Sequence, residues 1–269
     1  MFKKLCFMFL AVVLTSCLVF ADDEPIPYGW SIRGMITGTY AQTAPSSNWT
    51  GQETFSMTWQ AKLFAELLYN SPTAHWVTRL REEYGQNRNN AGSLVNLDFI
   101  ELDSVYTFRR FAVFNPFVSF NLTTQNYQFF NPATYTGAAG LSVTIVDNEV
   151  NTLTTRAGIA YRHVSDSVTL SDGVLVGNSD TLGAEWVTNY SLNISNVGKY
   201  ISEFRLFETF DNAQNLSWDN ALLMQMTSIL VMQISYRAFF DNTRITRHLW
   251  PSDIETLFSV SIGASFNMF

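Results

Sequence analysis

Apolar and polar residues alternate with a period of two along most of the chain. The clearest segment is 53–69, ETFSMTWQAKLFAELLY, in which every second residue from Phe55 to Tyr69 is apolar. The residues between them are mostly polar, with Phe64 and Leu68 as exceptions. A helix would spread both sets around its circumference, so the alternation predicts a strand. A tilted strand of about 10 residues spans a bilayer, and this one is longer.

The same alternation recurs downstream and predicts about twelve strands. They cover 29–43, 53–69, 74–86, 96–109, 113–126, 134–146, 153–165, 181–194, 200–210, 217–226, 230–240 and 255–268. Residues 221–240 are apolar enough to resemble a membrane helix. However, their polar residues fall mainly at odd positions, which favours two strands joined at 227–229. Tyr, Trp and Phe near the ends of the apolar faces are typical of aromatic girdles at membrane interfaces.

Short and long connections alternate between these strands. The short ones are 70–73, 110–112, 147–152, 195–199 and 227–229, and the long ones are 44–52, 87–95, 127–133, 166–180, 211–216 and 241–254. Outer-membrane barrels alternate short periplasmic turns with long external loops and have an even number of strands. Closure is required because an open sheet edge in lipid would leave backbone groups unpaired. The pattern predicts an all-β fold, an up-and-down antiparallel transmembrane β-barrel.

The N-terminus has the pattern of a secretory signal peptide. Two lysines precede an apolar run that ends near Ala21, which is too short for a stable membrane helix. We therefore expect a signal peptide at 1–21 and a barrel domain at 22–269, in the outer membrane of a Gram-negative cell. Lipidation at Cys17 is the alternative. It is disfavoured because the apolar run continues beyond Cys17.

Composition and charge exclude several function classes. Apolar residues make up 47% of the chain and charged residues only 14%. The formal net charge of −7 becomes −9 once the two signal lysines are removed, which argues against nucleic-acid binding. Both cysteines lie in the signal, and His75, His163 and His248 are too scattered for a metal cluster. We expect no cofactor and no metal.

If the apolar faces contact lipid, the opposite faces point into the lumen. This places there Lys62, Glu66, Arg79, Arg81, Glu83, Glu101, Asp103, Arg109, Arg156, Arg162, Glu185, Glu203, Arg205 and Arg237. Eight of these are basic and six acidic. In a narrow barrel they must pair with each other or keep water. The set is compatible with a salt-bridged, mostly filled interior or with a narrow, slightly basic polar channel.

Several motifs resemble those of a known family. The run SNWTGQETFSMTWQAKLFAELLY followed by HWVTRLREEYG is similar to the start of a family of uncharacterised Gram-negative outer-membrane proteins, classed as a domain of unknown function. The segments LDFIELDSVYTF, NLTTQNY, NPATYTGAAGLSV and LSWDNALLMQMTSILVMQISYRAFFDN resemble its later strands. The resemblance implies a barrel over almost all of the chain after the signal. It implies no activity and supplies no catalytic residues.

The segment 159–167, IAYRHVSDS, carries the only candidate catalytic pair. His163 and Ser165 have the His-x-Ser spacing of outer-membrane phospholipases and lipid A deacylases, with Asn178 as a candidate third member. In such a site the histidine removes the serine proton and the third group orients the histidine. The following Asp166 departs from the sequence of those enzymes.

Three functions remain open from the sequence. The leading one is a non-enzymatic barrel that is structural or passes small polar solutes. The second is a lipid hydrolase using His163 and Ser165. The third is a surface binding module acting through loops 166–180 and 241–254. We expect contacts with outer-membrane lipid and lipopolysaccharide, and delivery by the outer-membrane assembly machinery.

Overall fold

In the computed structural model, the strands that the structure describes close into an antiparallel barrel of twelve, as the alternation predicted. The structure describes residues 28–43, 56–89, 92–111, 113–126, 131–170, 173–195, 197–210, 214–227, 230–241 and 254–268. The strands are β1 (Gly29–Thr43), β2 (Ser56–Asn70), β3 (Ala74–Asn89), β4 (Gly92–Phe108), β5 (Asn115–Thr124), β6 (Ala133–Asp147), β7 (Asn151–Leu170), β8 (Gly173–Ser195), β9 (Gly198–Thr209), β10 (Gln214–Gln225), β11 (Leu230–Asp241) and β12 (Ile254–Met268). The signal-peptide prediction and residues 242–253 of the last predicted loop lie outside the described residues.

Each strand pairs with its neighbours in the chain, and the first strand pairs with the last. The β1–β12 ladder runs from Ile32 opposite Met268 to Gly38 opposite Ile262. The continuous stretch 221–240 is divided between β10 and β11, as expected. This closure lets the backbone groups along the spanning strands find partners on both sides, which a bilayer demands.

Two of the predicted long loops are mostly strand. The described residues of the predicted loop 87–95 lie in β3 and β4, and those of the predicted loop 166–180 lie in β7 and β8. The prediction of loops there was wrong. Pairing continues through polar residues, for example with Asp166 opposite Gly177. Strand formation depends on cross-strand neighbours more than on the propensity of single residues, so Asn, Ser and Gly did not end the ladder.

The outer surface of the barrel is apolar with aromatic ends. Ile36, Ile159 and Leu182 are among its exposed large side chains. At the short-turn end, the ring of Trp30 lies 4.8 Å from that of Tyr69 and 5.6 Å from that of Trp76. At the long-loop end, Trp59 and Tyr84 lie 5.7 Å apart. Two aromatic belts bordering an apolar band are typical of barrels that cross a membrane. Within the described residues, no helix is long and apolar enough to cross a membrane.

Small residues allow close packing between β6 and β7. Gly140 and Gly158 face each other across this pair, and a Cβ atom on either one would overlap backbone atoms of the opposite strand. Gly137, on the same strand as Gly140, has open space around its Cβ position. The two glycines of β6 therefore differ in what a side chain would meet.

Gly140→Ala should lower the free energy of unfolding by about 1–3 kcal/mol, because the new methyl group must push the Ala157 carbonyl away. Gly137→Ala is the matched control and should leave stability within about 0.5 kcal/mol of wild type. Urea unfolding in lipid vesicles, followed by tryptophan fluorescence, measures both. Equal stabilities for the two variants would contradict the packing argument.

Candidate functional site: an ion-paired lumen

Opposite charges alternate across the first four strands at one level of the barrel. Arg33, Glu66, Arg79 and Asp103 are consecutive cross-strand partners from β1 to β4. The two carboxylate oxygens of Glu66 each lie 2.8 Å from an arginine Nε, one in Arg33 and one in Arg79. Because opposite charges directly across a sheet attract, the row forms a ladder of neutralised groups.

Other ion pairs join strands that are not neighbours in the sheet. They are Arg79–Glu203 (3.5 Å), Arg81–Asp219 (3.5 Å), Arg156–Asp103 (3.6 Å), Arg205–Glu101 (3.5 Å), Arg205–Asp103 (3.3 Å) and Arg237–Glu83 (2.9 Å). Such contacts link β3 and β4 to β7, β9, β10 and β11 through the interior. The side chains of opposite walls therefore meet inside the barrel.

Most of these interior charges are buried, and each has an ion-pair partner. Glu66 and Asp103 are each only 5% exposed. The paired cations are Arg33, Lys62, Arg79, Arg81, Arg156, Arg205 and Arg237, and the paired anions are Glu66, Glu83, Glu101, Asp103, Glu203 and Asp219. Removing one partner would leave a buried charge without compensation, which is costly. The network is therefore a structural element as well as the lining of the lumen.

Aromatic side chains fill part of the interior beside the network. Phe117 and Phe207 are 2% and 1% exposed and belong to one apolar cluster with Ala138 and Ala160. The guanidinium of Arg162 lies 3.7 Å from the centre of the Phe207 ring, a cation–π contact. The small alanines leave room for the two phenylalanine rings. This side of the lumen is packed rather than open.

A cavity of about 480 Å³ lies on the other side of the network. Its lining includes network members such as Glu66 and Arg205, and also Asp147 and Thr152, which flank the short turn between β6 and β7. The cavity thus extends from the ion pairs toward the short-turn end of the barrel. By the rule for outer-membrane barrels, this is the periplasmic end.

The remaining sequence-predicted lumen residues make other contacts. Arg109 Nη1 donates to Asn70 Oδ1 at 2.5 Å, and Arg162 Nε donates to Thr136 Oγ1 at 3.3 Å. Lys62 Nζ lies 4.0 Å from Glu83, and Glu185 is 5% exposed. Glu101 and Asp103 contact arginines, and Asp98 accepts a hydrogen bond from the backbone N–H of Asn126 at 2.6 Å.

Two members of the network were not among the predicted lumen residues. Arg33 pairs with Glu66, and Asp219 pairs with Arg237 and Arg81. Asp219 has the same odd phase as the polar residues of 221–240, so the alternation itself could have identified it. Arg33 shares its phase with the polar residues Ser31, Thr37 and Thr39, so the alternation could have identified it as well.

His163 lies on the outer face near the long-loop end, on the same side of β7 as the exposed Ile159 and Tyr161. Its Nδ1 atom lies 2.7 Å from Asp180 Oδ1 on the neighbouring strand, and the Tyr161 hydroxyl donates to the same oxygen at 2.6 Å. Asn178 is instead opposite Ser165. The side chains of His163 and Ser165 are both described, and the structure shows no hydrogen bond between them. Asp180, rather than Asn178, is therefore the group that orients the histidine.

Several solved barrels resemble the chain. The COG4313 outer-membrane channel from Pseudomonas putida F1 is 11% identical with a TM-score of 0.46, covering 93% of this chain and 100% of that one. The translocator domain of the autotransporter NalP from Neisseria meningitidis is 9% identical with a TM-score of 0.43, covering 98% and 95%. The NanC porin is 11% identical with a TM-score of 0.39, covering 88% and 98%. These likenesses concern the fold alone.

Sequence comparison identifies the family. No curated protein sequence matches the chain. The family described as "Protein of unknown function, DUF481" matches residues 49–266, which is most of the barrel. This agrees with the resemblance seen in the strand motifs. The chain is an outer-membrane β-barrel in fold and belongs to the DUF481 family.

Proposed function

We propose that the protein is a non-enzymatic outer-membrane barrel that passes small polar solutes slowly through a narrow lumen. The observation that carries the proposal is the cavity of about 480 Å³ that reaches the ion-paired side chains. A wall of paired charges favours water and polar solutes, whereas the bridges between opposite walls restrict the passage. In this proposal the exposed apolar band contacts outer-membrane lipid and lipopolysaccharide.

The test is to insert the purified barrel, residues 22–269, into planar bilayers and to measure its conductance. We expect small, discrete current steps, because solvated ions must pass the part of the lumen where ion pairs join opposite walls of the barrel. Heat-denatured protein and detergent alone are the controls. Flat traces from correctly folded protein would remove the channel and leave a structural barrel.

A lipid hydrolase is the second candidate, and the Asp180–His163 contact is the observation that favours it. A carboxylate on Nδ1 holds a histidine in the tautomer whose Nε2 can accept a proton, as in serine hydrolases. Ser165 follows two residues later on the same face of β7.

Wild-type protein should then release fatty acid from phospholipid or lipid A in mixed micelles, and Ser165→Ala should lose this activity by at least about a thousandfold. Asp180→Asn should lose much of it while keeping the barrel folded. Ser179→Ala, on the opposite face of the same hairpin, is the control. If wild type and Ser165→Ala are equally inactive, the hydrolase is excluded.

A further inference from the structure

Lys199 lines the cavity and has no ionic partner in the part of the chain that the structure describes. It is the second residue of β9, at the periplasmic end of the lumen. Within the described residues, its ammonium group makes no hydrogen bond and no ion pair within 4 Å. The carboxylate of Glu66, which also lines the cavity, already contacts Arg33 and Arg79. A half-buried cation with no counter-ion is unusual, since buried charges are normally paired.

The surroundings of Lys199 carry an excess of positive charge. Arg33 and Arg79 both act on its ammonium group with like charge. His75 also lines the cavity and adds a polar side chain. Asp147 also lines the cavity, where its carboxylate accepts a hydrogen bond from Thr152 Oγ1 at 3.5 Å. Because Arg33 and Arg79 share the carboxylate of Glu66, the ammonium group of Lys199 is available to an anionic ligand.

The cavity also has apolar lining residues. Leu223 is the cross-strand partner of Lys199, and Ile201 lies two residues further along β9. Leu68 and Val77 are cross-strand partners on β2 and β3, so they form a second apolar patch on another part of the wall. A ligand buried there could place an apolar body against these side chains while its charged end meets the ammonium group. Binding pockets commonly combine an apolar lining with few polar anchors in this way.

We infer that the cavity binds a small amphipathic organic anion, with its carboxylate at Lys199 and its apolar body against Leu68, Val77, Ile201 and Leu223. The inference deepens the proposed function, since such an anion would be a solute of the same lumen. The volume of about 480 Å³ accommodates a compact aryl or alkyl carboxylate. Entry is from the short-turn end.

Titration calorimetry on the detergent-purified full barrel tests this with three probes of matched shape: benzoate, benzamide and benzylamine. Benzoate should bind, and neutral benzamide should bind about tenfold more weakly, since it lacks the charge. Cationic benzylamine should give no binding heat. Lys199→Met should weaken benzoate about tenfold, and Lys199→Arg should restore most of the affinity.

Arg110→Gln is the matched control, because Arg110 is an exposed cation in the turn after β4, outside the cavity lining. Its benzoate affinity should stay within about twofold of wild type. Heat-modifiable migration in gels shows that each variant is folded. Equal binding of benzoate and benzylamine, or an unchanged affinity in folded Lys199→Met, would overturn the inference.

The assay separates this inference from the proposed channel. Benzoate binding with flat bilayer traces would support the anion site and refute the channel. Conductance without benzoate binding would support the channel and refute the anion site.

Discussion

Glu101→Leu should lower the free energy of unfolding by about 3–5 kcal/mol, because it removes a carboxylate partner from the buried cations Arg81 and Arg205. Glu101 contacts the guanidinium group of Arg81 and lies 3.5 Å from Arg205 Nη1. It also accepts a hydrogen bond from Asn121 Nδ2 at 3.0 Å. Leucine has a similar volume but can satisfy none of these donors. Urea unfolding in lipid vesicles gives the free energy of unfolding for wild type and variant.

Glu149→Leu is the control for charge removal, since Glu149 lies exposed in the short turn between β6 and β7. Its stability should remain within about 0.5 kcal/mol of wild type. If Glu101→Leu unfolds at the same urea concentration as wild type, the ion pairs of the lumen do not contribute to stability.

Arg205→Ala should open the lumen and change its ion selectivity. The Arg205 guanidinium lies within 3.3–3.5 Å of carboxylate oxygens in Glu101, Asp103 and Glu203, and two of these contacts cross from β9 to β4. The variant removes a side chain that joins opposite walls, together with one positive charge. The carboxylates of Glu101, Asp103 and Glu203 remain in this narrow part of the lumen. We expect a several-fold rise in single-channel conductance and a shift toward cation selectivity.

Single-channel currents and reversal potentials in a potassium chloride gradient measure both effects. Arg88→Ala removes a cation from the exposed outer end of β3 and should change neither quantity appreciably. Unchanged conductance and selectivity in folded Arg205→Ala would mean that ions do not pass the part of the lumen that the Arg205 ion pairs cross.

Side chains of the barrel wall, rather than a separate plug, are the groups that narrow the lumen among the described residues. The network joins β3 and β4 to strands on the far side of the barrel, and Phe117 and Phe207 pack the remaining space on one side. A single substitution can therefore alter both stability and passage. This coupling is why the Arg205 and Glu101 variants should each be measured for folding and for conductance.

Local alternation was sufficient for the fold. A period of two places side chains on alternate faces, so the residues of 53–69 already separate into a lipid side and a lumen side. The alternation of connection lengths gave the up-and-down order. The extents of the β3–β4 and β7–β8 hairpins were missed, because cross-strand pairing there continues through residues with low strand propensity.

The sequence by itself determined that charged residues face the interior of a closed barrel. It could not determine their partners, because Arg79 and Glu203 are joined only when the sheet closes and brings distant strands face to face. The same holds for Asp180, whose approach to His163 depends on the register of β7 against β8. Closure and register are properties of the whole sheet, so only the tertiary structure decided which charges are paired and that Lys199 is left beside a cavity.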